Sequence, residues 1–234
     1  MMFERNHVYQ GDCRELLGLV EPESVDLVIA DPPFGIDFRG KPGNYNRTPE
    51  RVMEGYAEGG SDYLEFTKAW VSHLPRILRE TGSAFIFSGW NKLKEVLIAV
   101  DDTGLITINH LIWKYQFGVY TRKRFVTSHY HILFVAKNPR KYKFHKVDPY
   151  PEDVILIKRE YWTGKPKTPT KLPLALVEKI ILYATDPGDL VLDPFMGSGT
   201  TAVAALRTGR QFLGFEIVPE YVEFAEERIK GLMT

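Results

Sequence analysis

Leu190-Val191-Leu192-Asp193-Pro194-Phe195-Met196-Gly197-Ser198-Gly199-Thr200-Thr201 is a short apolar run that halts on an acid and breaks into two glycines; a helix-forming stretch, Ala202 to Arg207, follows. Such a strand, tight glycine turn and helix let a ligand approach the backbone closely. One glycine turn is common. Glu216, however, stands 19 residues after Gly197, at the end of the next apolar run Gln211-Phe212-Leu213-Gly214-Phe215-Glu216. That is the spacing at which an acid meets ribose hydroxyls in nucleotide-binding βαβ units. The third glycine of a dinucleotide fingerprint is replaced by Ala202, and no Gly-Lys-Ser/Thr phosphate loop exists, which argues against nucleoside-triphosphate hydrolysis.

The same pattern of strand and acid recurs far upstream. Val25-Asp26-Leu27-Val28-Ile29-Ala30 runs into Asp31-Pro32-Pro33-Phe34. Here a carboxylate stands at the mouth of a strand. The two prolines cannot donate backbone hydrogen bonds, which leaves nearby carbonyls free, and Phe34 offers a flat apolar face. Together they make a grip for an amino group on a planar ring.

Between and around these motifs, apolar runs alternate with helical patterns, which predicts one α/β domain over residues 1–234 with a mostly parallel sheet. Strands are expected at His7 to Gln10, Val25 to Ala30, Ala84 to Ser88, Asn109 to Lys114, Tyr130 to Ala136, Leu190 to Asp193 and Gln211 to Glu216. Helices are expected through Leu16 to Leu19, from Asp62 to Arg79, Lys92 to Val100, Leu172 to Ala184, Ala202 to Arg207 and Pro219 to Lys230. Residues 35–61, rich in Gly, Pro and Asn, read as a long mobile loop.

The chain balances 30 basic against 30 acidic residues, but unevenly. Residues 1–109 carry 11 Lys and Arg against 17 Asp and Glu, residues 110–171 carry 14 against 4, and residues 172–234 carry 5 against 9. A segment of net charge +10 between acidic flanks points to a polyanion-binding face, and residues 114–170 are read as a basic recognition region. Arg122-Lys123-Arg124, with Tyr115, Phe117 and Tyr120 interleaved, lies on the turn between two strands, and Arg140, Lys141 and Lys143 follow. Both clusters are expected to contact nucleic-acid phosphates. Cys13 is the only cysteine, so a disulfide framework and a cysteine-based zinc site are excluded. No apolar run reaches membrane-spanning length and no signal-peptide core is present, so a cytoplasmic protein without a membrane partner is expected.

Asp193-Pro194-Phe195-Met196-Gly197-Ser198-Gly199-Thr200-Thr201 taken with Asp31-Pro32-Pro33-Phe34 resembles the amino-group DNA methyltransferases that modify adenine N6 or cytosine N4. The order of motifs, with the glycine turn late, resembles the circularly permuted beta class. The resemblance implies a Rossmann-like methyltransferase fold with a small inserted target-recognition region. The sheet order it implies puts the glycine-turn strand first, the ribose-acid strand second, the adenine-contacting strand that opens this chain third and the Asp-Pro-Pro strand fourth. It implies S-adenosyl-L-methionine as cofactor and no metal, held by Asp193, Phe195, Gly197, Ser198, Gly199 and Thr200. Glu216 would hold the ribose, Asp12 or Cys13 the adenine, and Thr170 and Lys171 the methionine carboxylate.

Asp31, Pro32, Pro33 and Phe34 would be the catalytic group. An exocyclic amino group is a poor nucleophile because its lone pair is delocalised into the ring. If Asp31 and the Pro32 carbonyl accept its two hydrogens, the nitrogen pyramidalises and aims the pair at the methyl donor, while Phe34 stacks on the ring. A carboxylate of ordinary pKa is a weak base, so orientation is assigned the larger role. The resemblance further implies a duplex DNA partner with the base flipped, under the 35–61 loop with Tyr45 and Tyr56, and a place in restriction–modification. The shortness of the basic segment suggests a target of few base pairs, or a homodimer that divides the work.

Asp at position 31 favours adenine, since cytosine-modifying relatives more often show Ser-Pro-Pro-Tyr. Methylation at cytosine carbon 5 is disfavoured, because Cys13 opens a helix and no Pro-Cys dipeptide exists. RNA, a protein glutamine amide and an inactive nucleic-acid-binding relative are the competing readings. The intact Asp31, Gly197, Gly199 and Glu216 oppose the last.

Overall fold

The computed structural model describes residues 3–33, 62–116, 118, 120, 122–160 and 171–233. In chain order the first elements are β1 (His7–Gln10), α1 (Cys13–Leu19), β2 (Val25–Ala30), α2 (Asp62–Val71), α3 (Leu74–Ile77) and β3 (Leu78–Ser88). Then come α4 (Leu93–Asp101), β4 (Ile106–Lys114), β5 (His129–Ala136) and β6 (Val154–Leu156). The last are α5 (Leu174–Ala184), β7 (Leu190–Asp193), α6 (Thr200–Arg207), β8 (Gln211–Glu216) and α7 (Pro219–Met233).

The eight strands form one sheet in the order β1-β8-β7-β2-β3-β5-β4-β6. β1, β8, β7, β2 and β3 are mutually parallel, and β5 runs antiparallel between β3 and β4. This is the Rossmann-like α/β fold, but the expected strand order is corrected: β2, the Asp-Pro-Pro strand, pairs with the glycine-turn strand β7, and β1 lies at the sheet edge beside β8. Every residue of β2 is buried, as a central strand covered on both faces requires. One apolar layer joins Leu17 of α1, Trp70 of α2 and Val96 and Val100 of α4 to Val28, Ile86 and Leu192. The opposite layer joins Val177 and Ile181 of α5, Ala204 of α6 and Ile229 of α7 to Leu27, Ile29 and Val191.

The helix after Asp62, the start of β3 and the strand β6 depart from the sequence reading. The helix expected from Asp62 to Arg79 ends at Val71, and a separate turn, α3, carries Pro75 near its start. Proline there lacks the N–H that a continuous helix would need. β3 begins at Leu78, six residues before Ala84, because polar Arg79 to Gly82 lies at its exposed end and hides the alternation. β6 was not expected at all. Its three residues pair in parallel with the outer side of β4 and are too few to show a period.

The chain leaves β7 toward β8 and leaves β2 toward β3, so the two halves of the parallel sheet diverge from the β7–β2 boundary. The crevice at their carboxyl ends is the place where open α/β sheets bind ligands. Among the described residues no helix is long and apolar enough to cross a membrane.

Candidate active site

β7 ends on Asp193, which is 4% exposed and whose Oδ1 accepts the Phe195 N–H at 2.8 Å. The chain then doubles back through hydrogen bonds from Met196 N–H to the Phe215 carbonyl and from Gly199 N–H to the Met196 carbonyl, both 2.9 Å. Gly197 has φ +50° and Gly199 has φ +78°, left-handed values that side chains resist. They serve different needs. A Cβ on Gly199 would lie 2.9 Å from the Ala225 Cβ, so this glycine lets α7 pack against the turn. A Cβ on Gly197 would meet nothing nearer than the Phe195 carbonyl oxygen at 3.8 Å, so the space over this glycine is open to a ligand.

Glu216, at the end of β8, closes the turn from the side. Its Oε2 accepts the Gly197 N–H at 2.7 Å and its Oε1 accepts the Val218 N–H at 2.9 Å. Burial raises the carboxyl above its ordinary range, while backbone N–H groups of Val218, Gly197 and Ile217 pull the other way. Each oxygen retains a lone pair beyond the one it has committed, which suits a pair of sugar hydroxyls. An open glycine cradle, an oriented acid and the start of an eight-residue helix together fit the nucleoside half of S-adenosyl-L-methionine.

The neighbouring strand places Asp12 and Cys13 alongside, through a hydrogen bond from Gly11 N–H to the Glu216 carbonyl at 2.9 Å. Asp12 caps α1 by accepting the Arg14 N–H at 2.9 Å and also accepts the Arg14 Nε at 3.0 Å, which holds its carboxyl below the usual range. Cys13 is buried, and burial followed by the Asp12 charge pushes its thiol up to about 12. A thiol so protonated is no nucleophile, in agreement with the rejection of ring-carbon methylation. Lys171 donates to Glu160 Oε2 at 2.8 Å, and Glu160 Oε1 accepts the Leu174 N–H that opens α5 at 2.8 Å. Thr170 lies outside the described residues.

Asp31 stands at the end of β2. The register pairs Val28 with Leu192, so Asp193 lies one residue and Asp31 three residues beyond that pair. Asp31 therefore projects about 7 Å further along the strand direction than Asp193. Burial, and then the negative charge of Asp193, push the Asp31 carboxyl up to about 7. Asp193 is itself pushed to about 7 by burial, opposed by its bonds from Thr201 and Phe195. Pro32 is buried and Pro33 half-buried. Phe34, residues 35–61, Tyr45 and Tyr56 lie outside the described residues.

Facing this end is a wall that sequence reading did not assemble. Tyr130 of β5 feels the Asp31 charge, and Trp113 of β4 stacks on Tyr130 at 5.5 Å. The Arg159 guanidinium lies 3.7 Å from the Tyr115 ring centre and 5.3 Å from that of Tyr130. Tyr115, expected to face nucleic acid, is buried beneath Arg159. Ser198, expected to face the cofactor, carries Arg228 of α7, which donates to its carbonyl and, at 3.2 Å, to its Oγ. Thr200 lies 3.4 Å away, hydroxyl to hydroxyl. No local pattern announces Arg159, Glu160 or Arg228, because each meets its partner only through the fold.

The two basic clusters fall on opposite edges of the sheet. β4 ends and β5 begins beside the carboxyl end of β3, which puts Arg122, Lys123 and Arg124, all exposed, on the edge that holds Asp31. Phe117, between them and β4, lies outside the described residues. β5 ends at the opposite edge, and Arg140, Lys141 and Lys143 follow it there. Lys141 pairs with Glu80 at 3.3 Å, near the start of β3. Lys143 reaches Asp186 at 3.0 Å and Asp26, at the start of β2, at 3.5 Å. Arg140, Lys141 and Lys143, expected to contact nucleic-acid phosphates, stand across the sheet from Asp31, and Lys143 bridges buried Asp26 and the more exposed Asp186 and Asp189. Among the described residues no group of three or more His, Cys, Asp or Glu side chains is placed to hold a metal ion.

A family model described as DNA methylase, of the N6/N4 type, matches residues 25–227. The Type II methyltransferase M2.DpnII of Streptococcus pneumoniae is 31% identical over 239 residues, which cover 94% of this chain and 88% of the relative. The Type II methyltransferase M.HinfI of Haemophilus influenzae is 28% identical over 247 residues, 97% of this chain and 69% of the relative. The crystal structure of M1.HpyAVI in complex with S-adenosyl-L-methionine superposes with a TM-score of 0.71 at 26% identity, over 95% of this chain and 98% of that one. The cytosine-N4-specific PvuII DNA methyltransferase shares the fold, with a TM-score of 0.75 at 22% identity over 99% and 92% of the two chains.

Proposed function

The chain belongs to the N6/N4 DNA methylase family, and on that premise we propose that its acceptor is the exocyclic amino group of adenine in duplex DNA, with the base turned out of the helix to reach Asp31. The protein is a DNA methyltransferase that uses S-adenosyl-L-methionine. The observation that carries the acceptor reading is the position of Asp31, a carboxyl pushed up to about 7 at the carboxyl end of β2, one strand from the glycine turn.

Bound over Gly197, S-adenosyl-L-methionine supplies an electrophilic methyl group on a sulfonium. Glu216 holds the sugar hydroxyls and the Gly197–Gly199 turn admits the nucleoside against the backbone. Thr170 and Lys171 receive the methionine carboxylate, with Glu160 holding Lys171 in place. Asp31 and the Pro32 carbonyl accept the two amino hydrogens, which localises the nitrogen lone pair, and Phe34 stacks on the ring. Transfer would form the nitrogen–carbon bond as the methyl–sulfur bond breaks to leave a neutral thioether, and the nitrogen must give up one proton. A carboxylate with a pKa near neutrality is matched to that task, so Asp31 has a larger share as base than an ordinary Asp would.

Asp rather than Ser at position 31 supports adenine over cytosine, and the exposed Arg122-Lys123-Arg124 on the Asp31 edge supports a polyanion. The Type II relatives support pairing with a restriction endonuclease that shares the target site. A cytoplasmic location is in keeping with such a substrate. Base-level sequencing of DNA from cells that express the gene tests all of this. The expected result is N6-methyladenine at one short motif; N4-methylcytosine would overturn the base assignment, and unmodified DNA the activity.

A further inference from the structure

The connection from β4 to β5, residues 115–128, leaves the sheet at the edge that carries Asp31. Its two arms are pressed together at the neck. The Tyr115 N–H donates to the Ser128 carbonyl at 3.0 Å, and a Cβ on Gly118 would lie 1.8 Å from the Thr127 carbonyl oxygen. Below the neck, Arg159 covers the Tyr115 ring at 3.7 Å and braces the base of the connection. The projecting part is therefore carried on a narrow, supported stem.

On that projection Phe125 is 99% exposed, directly after exposed Arg122, Lys123 and Arg124. Scattered exposed apolar side chains are ordinary, but a whole phenyl ring held out from a pinched stem gains nothing for the fold. Residues 115–128 contain three cations and no acid, so the surface around the ring complements a polyanion and not an average protein face. An aromatic ring among phosphate-holding cations is the combination with which proteins enter a base stack.

We propose that Phe125 is a wedge that enters the duplex beside the target base, while Arg122, Lys123 and Arg124 hold the flanking phosphates. The ring offsets the stacking that is lost when the base turns out toward Asp31. This rests on the duplex-DNA reading above. Phe125 is thus a positioning residue for transfer; it touches neither the amino group nor the cofactor.

The test compares wild type, Phe125→Ala and Phe125→Trp at saturating cofactor, on a matched duplex that carries the mapped target and on the same duplex with the target base mispaired. Mispairing lowers the cost of extrusion. Phe125→Ala is expected to lose about tenfold or more in turnover on the matched duplex and to recover most of it on the mispaired one. Phe125→Trp restores the matched reaction, and the salt dependence of DNA binding stays at the wild-type slope. Unchanged turnover of Phe125→Ala on the matched duplex would overturn the proposal, as would an equal loss on both duplexes. Unchanged turnover together with a change from dimer to monomer would overturn it in favour of a contact between two copies of this chain. Failure of the wild type on both duplexes would strike down the DNA-methylation reading itself, a result that is distinct from failure of the wedge.

Discussion

The backbone N–H of Gly197 donates to Oε2 of Glu216 at 2.7 Å, so the glycine turn and the acid of the next strand form one rigid unit and not two separate contacts. The acid orients the turn and the turn orients the acid. Glu216→Ala removes the acceptor for both Gly197 and Val218. Hydrogen bonds to a charged group contribute roughly 1.5–3 kcal/mol each, so cofactor affinity is expected to fall about tenfold to a hundredfold. Calorimetric titration with S-adenosyl-L-methionine checks this. Wild-type affinity in the variant would remove Glu216 from the cofactor site.

Asp31→Ala leaves that unit untouched and removes the proposed acceptor grip. Methyl transfer is expected to drop by at least about a hundredfold while cofactor affinity holds, as for loss of a preorganised group at the reacting centre. Single-turnover transfer and cofactor titration on the same preparation separate the two effects. Turnover near wild type would end the catalytic assignment.

The paired carboxyls predict an acid limb. Asp31 and Asp193 are each pushed up to about 7, so turnover that needs ionised Asp31 rises as pH passes through neutrality. The linkage to stability has the opposite sign from that of a salt-bridged acid. The unfolded chain releases these protons near pH 4 and the folded protein near pH 7, so folding stability falls as pH rises between those values. Asp193→Asn removes the neighbouring charge. It is expected to shift the acid limb of turnover downward and to raise the melting temperature above pH 7. An unmoved limb would show that Asp31 is not the group that titrates.

The two basic clusters separate in a salt titration. Neutralising Arg122, Lys123 and Arg124 together is expected to flatten the dependence of log affinity on log salt by about 2–3, close to 0.9 per phosphate released. Lys143→Met is expected to leave that slope alone and to cost about 2 kcal/mol of stability, because Asp26, Asp186 and Asp189 lose their shared cation. Fluorescence anisotropy against salt and chemical denaturation read the two outcomes. A flatter slope from Lys143→Met would return it to the DNA face.

Much of the fold was legible because its signals are local. The run Val25 to Ala30 is apolar enough to be a central strand whatever surrounds it, and Gly197 and Gly199 declare a turn by their lack of side chains. The boundary errors were equally local. Pro75 splits what apolar spacing alone presents as one helix, and β6 at three residues is too short for an alternation to register. The contrast between the basic clusters was not legible, because Arg122 and Lys143 look alike in a charge count. Which edge of the sheet each occupies depends on the direction of β5, which reverses the chain between them.

By itself, then, the sequence determined the chemistry on offer: an acid before two prolines at one strand end, and a glycine turn with an acid 19 residues on at another. These are properties of a few consecutive residues. The tertiary structure alone decided that β7 and β2 are neighbours, so that the charge of Asp193 adds to burial in raising the carboxyl of Asp31, 162 positions away in the chain. It also seated Arg159 on Tyr115, Arg228 on Ser198 and Lys143 among Asp26, Asp186 and Asp189. A charge or a ring acquires its role from the dielectric and the partners around it, and in a parallel sheet those partners come from distant segments of the chain.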